Sequence, residues 1–134
     1  MSGIVPSVDE IASVAEFRAA LRAFLRRSER IARQCGLTPQ RYLLLLMIKG
    51  APGGAEQSTV TELAGRLQLA QSTVTELVSR AEEAGLVERE ASQTDARVAH
   101  LRLTPEGERR LLLSFTQLET ERAQLRDAVA AFTD

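Results

Sequence analysis

Residues Ser58 to Thr104 read STVTELAGRLQLAQSTVTELVSRAEEAGLVEREASQTDARVAHLRLT. Thr59 stands three residues before Glu62, the spacing of a capping box, and so opens a short helix. Val60, Leu63, Ala64 and Leu67 then share one face of that helix. A tight connection at Gln68-Leu69 leads to a second helix with Val74, Leu77, Val78 and Ala81 turned inward. Pattern placement sets its cap near Ala70, a poor capping residue, while Thr73 and Glu76 offer a second capping-box spacing. Gly85 suits the left-handed residue that ends the helix, and Leu86 the apolar contact that closes it. Leu86–Glu90 and Arg97–Leu103 alternate as strands, with Ala99, Leu101 and Leu103 on one side and a polar hairpin tip over residues 91–96.

Working outward, Val8–Cys35 forms one long helical pattern. Val14, Phe17, Leu21, Phe24 and Ile31 recur at three-and-four spacing, and Ser28 fills the remaining inward slot. Arg18, Arg22, Arg26, Arg27, Arg30 and Arg33 occupy much of the rest, either as a solvated face or as groups near phosphate or a subunit interface. Gly36 stops the helix. Thr38-Pro39 caps and starts the next, which runs through the apolar block Leu43–Ile48 to about Gly50, is apolar nearly all round and is expected to be buried in the middle of the fold. The Pro and Gly of residues 51–57 mark a flexible connection. Thr104-Pro105 repeats the cap-plus-proline start, and one last helix is expected from Pro105 almost to the end. Leu111, Phe115, Leu118, Leu125, Val129 and Phe132 form its stripe, with Arg122 in the remaining slot.

The fold class is therefore mainly α with a small β-hairpin wing: a winged helix-turn-helix at residues 38–104, flanked by dimerisation helices at 8–35 and 105–133, in one domain of 134 residues. Both flanking helices carry seam-like stripes. They are expected to pack together and against a second subunit, although pairing within one chain is the other reading.

Bulk chemistry narrows the function. The chain has 44% hydrophobic residues, which fits a folded globular protein, and no apolar run long enough for a membrane span. MSGIVPSVDE lacks the basic start and apolar core of a signal peptide, and the lone Cys35 allows no internal disulfide, so a cytoplasmic setting is expected. The net charge is −1, and residues 58–104 hold five basic groups against seven acidic ones. Nucleic-acid affinity in this stretch must rest on a few placed contacts, backbone amides and helix N-termini, with modest grip on random sequence. Cys35 sits at the carbonyl end of its helix, which does not favour a thiolate, and reads as structural, with a redox-sensing thiol beside Arg33 as the other reading. His100 has no partner at ligand spacing and reads as an exposed wing residue. No nucleophile-base set, phosphate-cradling glycine loop or paired carboxylates are present, so no enzyme, cofactor or metal is expected.

The chain resembles the MarR family of bacterial transcription regulators. TVTELAGRL is similar to that family's first helix of the helix-turn-helix, and LQLAQSTVTELVSRAEEAGLVERE to its turn, recognition helix and first wing strand. DARVAHLRLTPEGERRL carries the wing pattern, here Asp95, Arg97, Leu103, Thr104 and Gly107, and GLTPQRYLLLLMI is similar to the second helix. The resemblance implies a homodimeric repressor that binds double-stranded DNA at a palindromic operator and is released by a small aromatic ligand. It implies that Gln71, Ser72, Thr73, Thr75 and Glu76 face the major groove, where Gln reads adenine and Ser or Thr serve base edges or phosphate. Arg80, Arg89 and Thr59 would contact the backbone; Arg97 would enter the minor groove with Asp95 holding it. Glu76 departs from the basic or neutral residue of many members. An effector pocket would involve Phe24, Tyr42 and Leu46, which are equally well read as core. The alternative function is a winged-helix dimer that serves as a protein-interaction module without DNA binding.

Overall fold

The computed structural model describes residues 5–92, 94, 95 and 97–133. Met1 to Ile4, part of the stretch read as lacking leader character, and Gln93 and Ala96 of the hairpin tip lie outside the described residues, as does Asp134. The elements run α1 (Val8–Gln34), α2 (Pro39–Lys49), α3 (Val60–Leu67), α4 (Gln71–Glu83), β1 (Val87–Ala91), β2 (Ala99–Leu103), α5 (Pro105–Gln117) and α6 (Glu119–Thr133).

The helix ends follow from local chemistry. Ser7, Thr38, Thr59 and Thr104 each accept a backbone N–H from the first turn of the helix that follows. At Thr59 the bond is reciprocal: Glu62 Oε1 accepts the Thr59 amide at 2.8 Å. α1 and α4 both end in a Schellman turn. Leu37 N–H donates to Ala32 and Leu86 N–H to Ala81, each at 2.9 Å, across Gly36 and Gly85 with φ of +78° and +76°.

The core gathers around α2. Leu44, Leu45 and Ile48 are fully buried with Ile31 of α1, Leu63 of α3, Val74 and Val78 of α4, Leu101 of β2 and Leu111 of α5. α2 thus lies in the middle of the fold as expected, and Leu43, 41% exposed, is the member of its apolar block that faces outward. Residues 51–57 are more ordered than their composition suggests. Ala51 is buried and Pro52–Gly54 form a 3₁₀ turn, after which Ser58 pairs with Leu101 through N–H···O bonds of 3.1 and 2.7 Å. That bridge extends the β1–β2 hairpin, whose antiparallel register sets Val87 opposite Leu103 and Ala91 opposite Ala99. Each strand begins later than the alternation implied, and Arg97 falls in the turn instead of β2. His100 is half-buried, not exposed, because it stands opposite Glu90 inside the paired region.

The largest correction concerns the last helix, which is two. α5 ends at Gln117, and Leu118 leaves helical geometry at φ −98°, ψ 10°. Ser114 and Thr116 hydroxyls donate back to the carbonyls of Arg110 and Leu112 at 3.0 and 2.8 Å, a pattern that bends helices. The Phe115 carbonyl accepts the Leu118 N–H at 3.2 Å and also the Arg122 guanidinium, which lies 3.7 Å from the Phe115 ring centroid. Phe115 is consequently exposed, and Leu111, Ser114 and Leu118 face inward.

After the break α6 turns back along α1. Phe17 stacks on Phe132 with centroids 4.9 Å apart, and Arg27 Nε meets Glu121 at 3.1 Å. The flanking helices thus pack together within the chain, a contact that both readings contain.

Candidate nucleic-acid interface

Gln68 at the turn between α3 and α4 takes the left-handed conformation (φ +57°), and Leu69 N–H donates to Ala64 at 3.1 Å. Ala64 is small and 8% exposed, which lets the two helices close on each other. α4 then buries Val74, Val78 and Ala81 and leaves Gln71, Ser72, Thr73, Thr75, Glu76 and Arg80 all exposed on its outer side. Its cap is Ala70, which makes no side-chain bond, so the Thr73–Glu76 spacing lies inside the helix and caps nothing. The first N–H groups of α4 therefore have no side-chain acceptor and stand open to an anion.

Acid groups answer most of the basic groups of this lobe. Arg80 pairs with Glu76 one turn before it, Arg89 with Glu82 at 2.9 Å, and Arg102 with Glu90 at 3.3 Å. These pairs are largely exposed, and exposed pairs contribute only about 0–1 kcal/mol, so a phosphate competes for any of the three arginines at small cost. Thr59 is more committed. The capping box occupies its amide and the acceptor side of its hydroxyl, which leaves only the hydroxyl proton for a phosphate.

At the hairpin tip Asp95 Oδ1 accepts the Arg97 amide at 3.0 Å and Arg97 Nε at 3.3 Å. The Arg97 amide, and then its guanidinium, hold the Asp95 carboxyl below its usual range. The carboxylate thus both shapes the turn and aims the arginine, whose side chain remains 91% exposed. Ser92 adds to the turn by accepting the amides of Thr94 and Asp95 at 3.2 and 3.3 Å.

The LT-x-x-G stretch joins wing to α5. Thr104 N–H donates to the Leu86 carbonyl at 3.0 Å, and its hydroxyl to Gly85 at 2.6 Å. Gly107 N–H returns to Thr104 Oγ1 at 3.0 Å. A Cβ on Gly107 would stand 2.1 Å from the Leu86 oxygen, so only glycine fits. The end of α4 and the start of α5 are thereby one rigid joint. The role of Gly85 and Leu86 as acceptors in it had no signal in the alternation of the sequence.

Residues 36–98 match the MarR family model. The match covers most of the winged lobe and leaves the second wing strand and the flanking helices outside it. Solved structures extend the likeness to the flanking helices. AbsC, a MarR family transcriptional regulator from Streptomyces coelicolor, has 21% identity and a TM-score of 0.67 over 93% of this chain and 81% of its own. A cysteine-to-serine variant of MarR from E. coli, complexed with operator DNA, has 20% identity and a TM-score of 0.71 over 87% and 84%. Reduced AbfR bound to DNA has 27% identity and a TM-score of 0.60 over 77% and 72%. A sequence comparison with curated proteins finds no match.

The other sites expected from the sequence resemblance are less developed. Tyr42 is 6% exposed and sits in the core cluster, where burial raises its hydroxyl pKa against the lowering effect of Ser28 and Arg122. Leu46 packs against the same cluster, and Phe24 is half-buried. Cys35 is buried at the end of α1. Among the described residues no group of His, Cys, Asp and Glu could hold a metal ion, and no helix is long and apolar enough to cross a membrane.

Proposed function

We infer that this chain reads double-stranded DNA in a sequence-specific way, as a homodimer, and regulates transcription as a repressor at a palindromic operator. The observation that carries the reading is the outward face of α4. Its polar side chains, Gln71 to Glu76, are exposed and support no core, yet the Gln68 turn and the Gly85–Thr104 joint fix the helix that carries them. Gln71 suits an adenine edge, Thr75 a thymine methyl or phosphate, and Glu76 a cytosine amino group. Arg97, aimed by Asp95, suits a narrow minor groove. That two similar structures are complexes with DNA supports the same use. Release by a small aromatic ligand would act through the Phe24, Tyr42 and Leu46 region, where α1 meets α2.

A mobility-shift measurement with the DNA flanking the chain's own gene tests this reading. The parent is expected to shift one fragment in preference to random duplex, and Arg97→Ala to weaken that shift by about tenfold or more, equivalent to about 1–3 kcal/mol. An undiminished shift in Arg97→Ala would remove the wing assignment. One observation favours the protein-interaction reading: residues 58–104 hold five basic groups against seven acidic ones, and acid groups already engage Arg80, Arg89, Arg97 and Arg102. Absence of any duplex binding by the parent would favour it.

A further inference from the structure

The positive charge of this molecule is concentrated away from its winged lobe. Arg18 to Arg33 of α1 contains six arginines and the single acid Glu29, a local charge of +5. The remainder of the chain therefore carries −6 to give the overall −1. Seven cations elsewhere, from Lys49 to Arg110, have a carboxylate partner. Arg66 and Arg122 bond backbone carbonyls. On α1 only Arg27 is answered, by Glu121. Among the described residues Arg18, Arg22, Arg26, Arg30 and Arg33 make no side-chain hydrogen bond or ion pair, and all five are exposed.

Their spacing sets Arg18, Arg22, Arg26 and Arg30 about 6 Å apart along one side of the helix, and with Arg33 the row spans roughly 22 Å. Two shallow grooves run beside it, of about 280 Å³ at Arg18, Arg22, Leu25 and Arg26 and about 460 Å³ at Arg26, Arg30, Arg33 and Gln34, and the Glu29 carboxylate borders both. Like charges four residues apart weaken a helix by a few tenths of a kcal/mol per pair, roughly 0.2–0.5. Folding does not require this row, and an extended anion relieves it.

We propose that the arginine row of α1 binds the phosphate backbone of duplex DNA without regard to sequence, as a contact separate from α4 and the wing. The proposal rests on the DNA-reading function above and supplies what the lobe lacks, since residues 58–104 are themselves net acidic. A second copy of the chain fits the row less well. On the same side of α1 the preceding turns are apolar, with Val8, Ile11 and Val14 exposed, and that is the chemistry a second copy covers. A second arginine row would repel the first.

The test is a salt titration of binding to a random-sequence duplex and to the preferred fragment, followed by fluorescence anisotropy. The triple variant R22Q/R26Q/R30Q keeps good helix formers and removes three charges. It is expected to reduce the salt slope on both duplexes by about 2–3 per protomer, since each phosphate contact contributes about 0.9. The preference for one duplex over the other should remain. Unchanged slopes in the variant, with the parent bound, overturn this proposal alone. A parent that binds no duplex overturns the functional reading and this proposal together. A variant that changes the sedimenting mass of the free protein while the slopes hold assigns the row to a second copy and overturns the proposal.

Discussion

At the scale of single residues, Gly107 has the least room for a side chain among the described glycines. It lies in the first turn of α5, buried against the Leu86 carbonyl that also accepts the Thr104 amide. An alanine methyl at 2.1 Å from that oxygen must push the backbone apart, so Gly107→Ala is expected to lose about 1–3 kcal/mol, read as a lower urea midpoint. Gly65 is the control. It sits in α3, where an added methyl would meet nothing within 4 Å, and Gly65→Ala should gain about 0.4–1 kcal/mol by restricting the unfolded chain. Equal destabilisation by both substitutions would show that the joint at Leu86 has no special tightness.

At the scale of elements, the start of α5 shows how charge secures the joint. Glu106 meets Arg109 and Arg110, each at 2.7 Å, and Arg110 also donates to the Gly36 carbonyl at 3.0 Å, which ties α5 to the end of α1. The two guanidinium groups lower the Glu106 pKa to about 2 from the ordinary 4.5. A depressed carboxylate stabilises the fold above its unfolded pKa, and that contribution is lost as pH falls through the folded value. Thermal melts of the parent and Glu106→Gln should therefore differ most above about pH 4.5 and converge toward about pH 2. A constant gap across that window would assign the effect to packing. The caps, the Schellman glycines, the capping box and the outward face of α4 were legible in the sequence because each is set by residues within a few positions. The break at Leu118 was not. Three-and-four spacing continues through Leu111, Phe115 and Leu118 with no glycine or proline to interrupt it. Its cause is the back-bonding of Ser114 and Thr116 together with Arg122, whose place in an apolar slot was the only sign. The Arg80–Glu76 pair was readable from its four-residue spacing, whereas Arg89–Glu82 joins a strand to a helix and depends on the fold.

At the scale of the whole molecule, the surface is too large for the mass. A compact folded monomer of 14.7 kDa exposes roughly 6,900 Å², whereas this chain exposes 8838 Å². The excess coincides with apolar side chains on the flanking helices: Val8, Ile11 and Val14 of α1, Leu112 and Leu113 of α5, and Val129 and Phe132 of α6. Intrachain pairing of α1 with α6 covers one side of each and leaves these in water, which is the pattern of a surface awaiting a second copy. Ile11 is 59% exposed and Leu113 44%, so glutamate at either position retains helix propensity and disturbs little within one chain. The parent is expected to sediment at twice the 14.7 kDa chain mass, and the double variant Ile11→Glu/Leu113→Glu at the single mass with an unchanged helical circular dichroism spectrum. The same variant should bind a two-half-site duplex at least tenfold more weakly, because one lobe cannot draw on the second. A parent that sediments at the single mass would end the dimer reading, and with it the expectation of a palindromic operator.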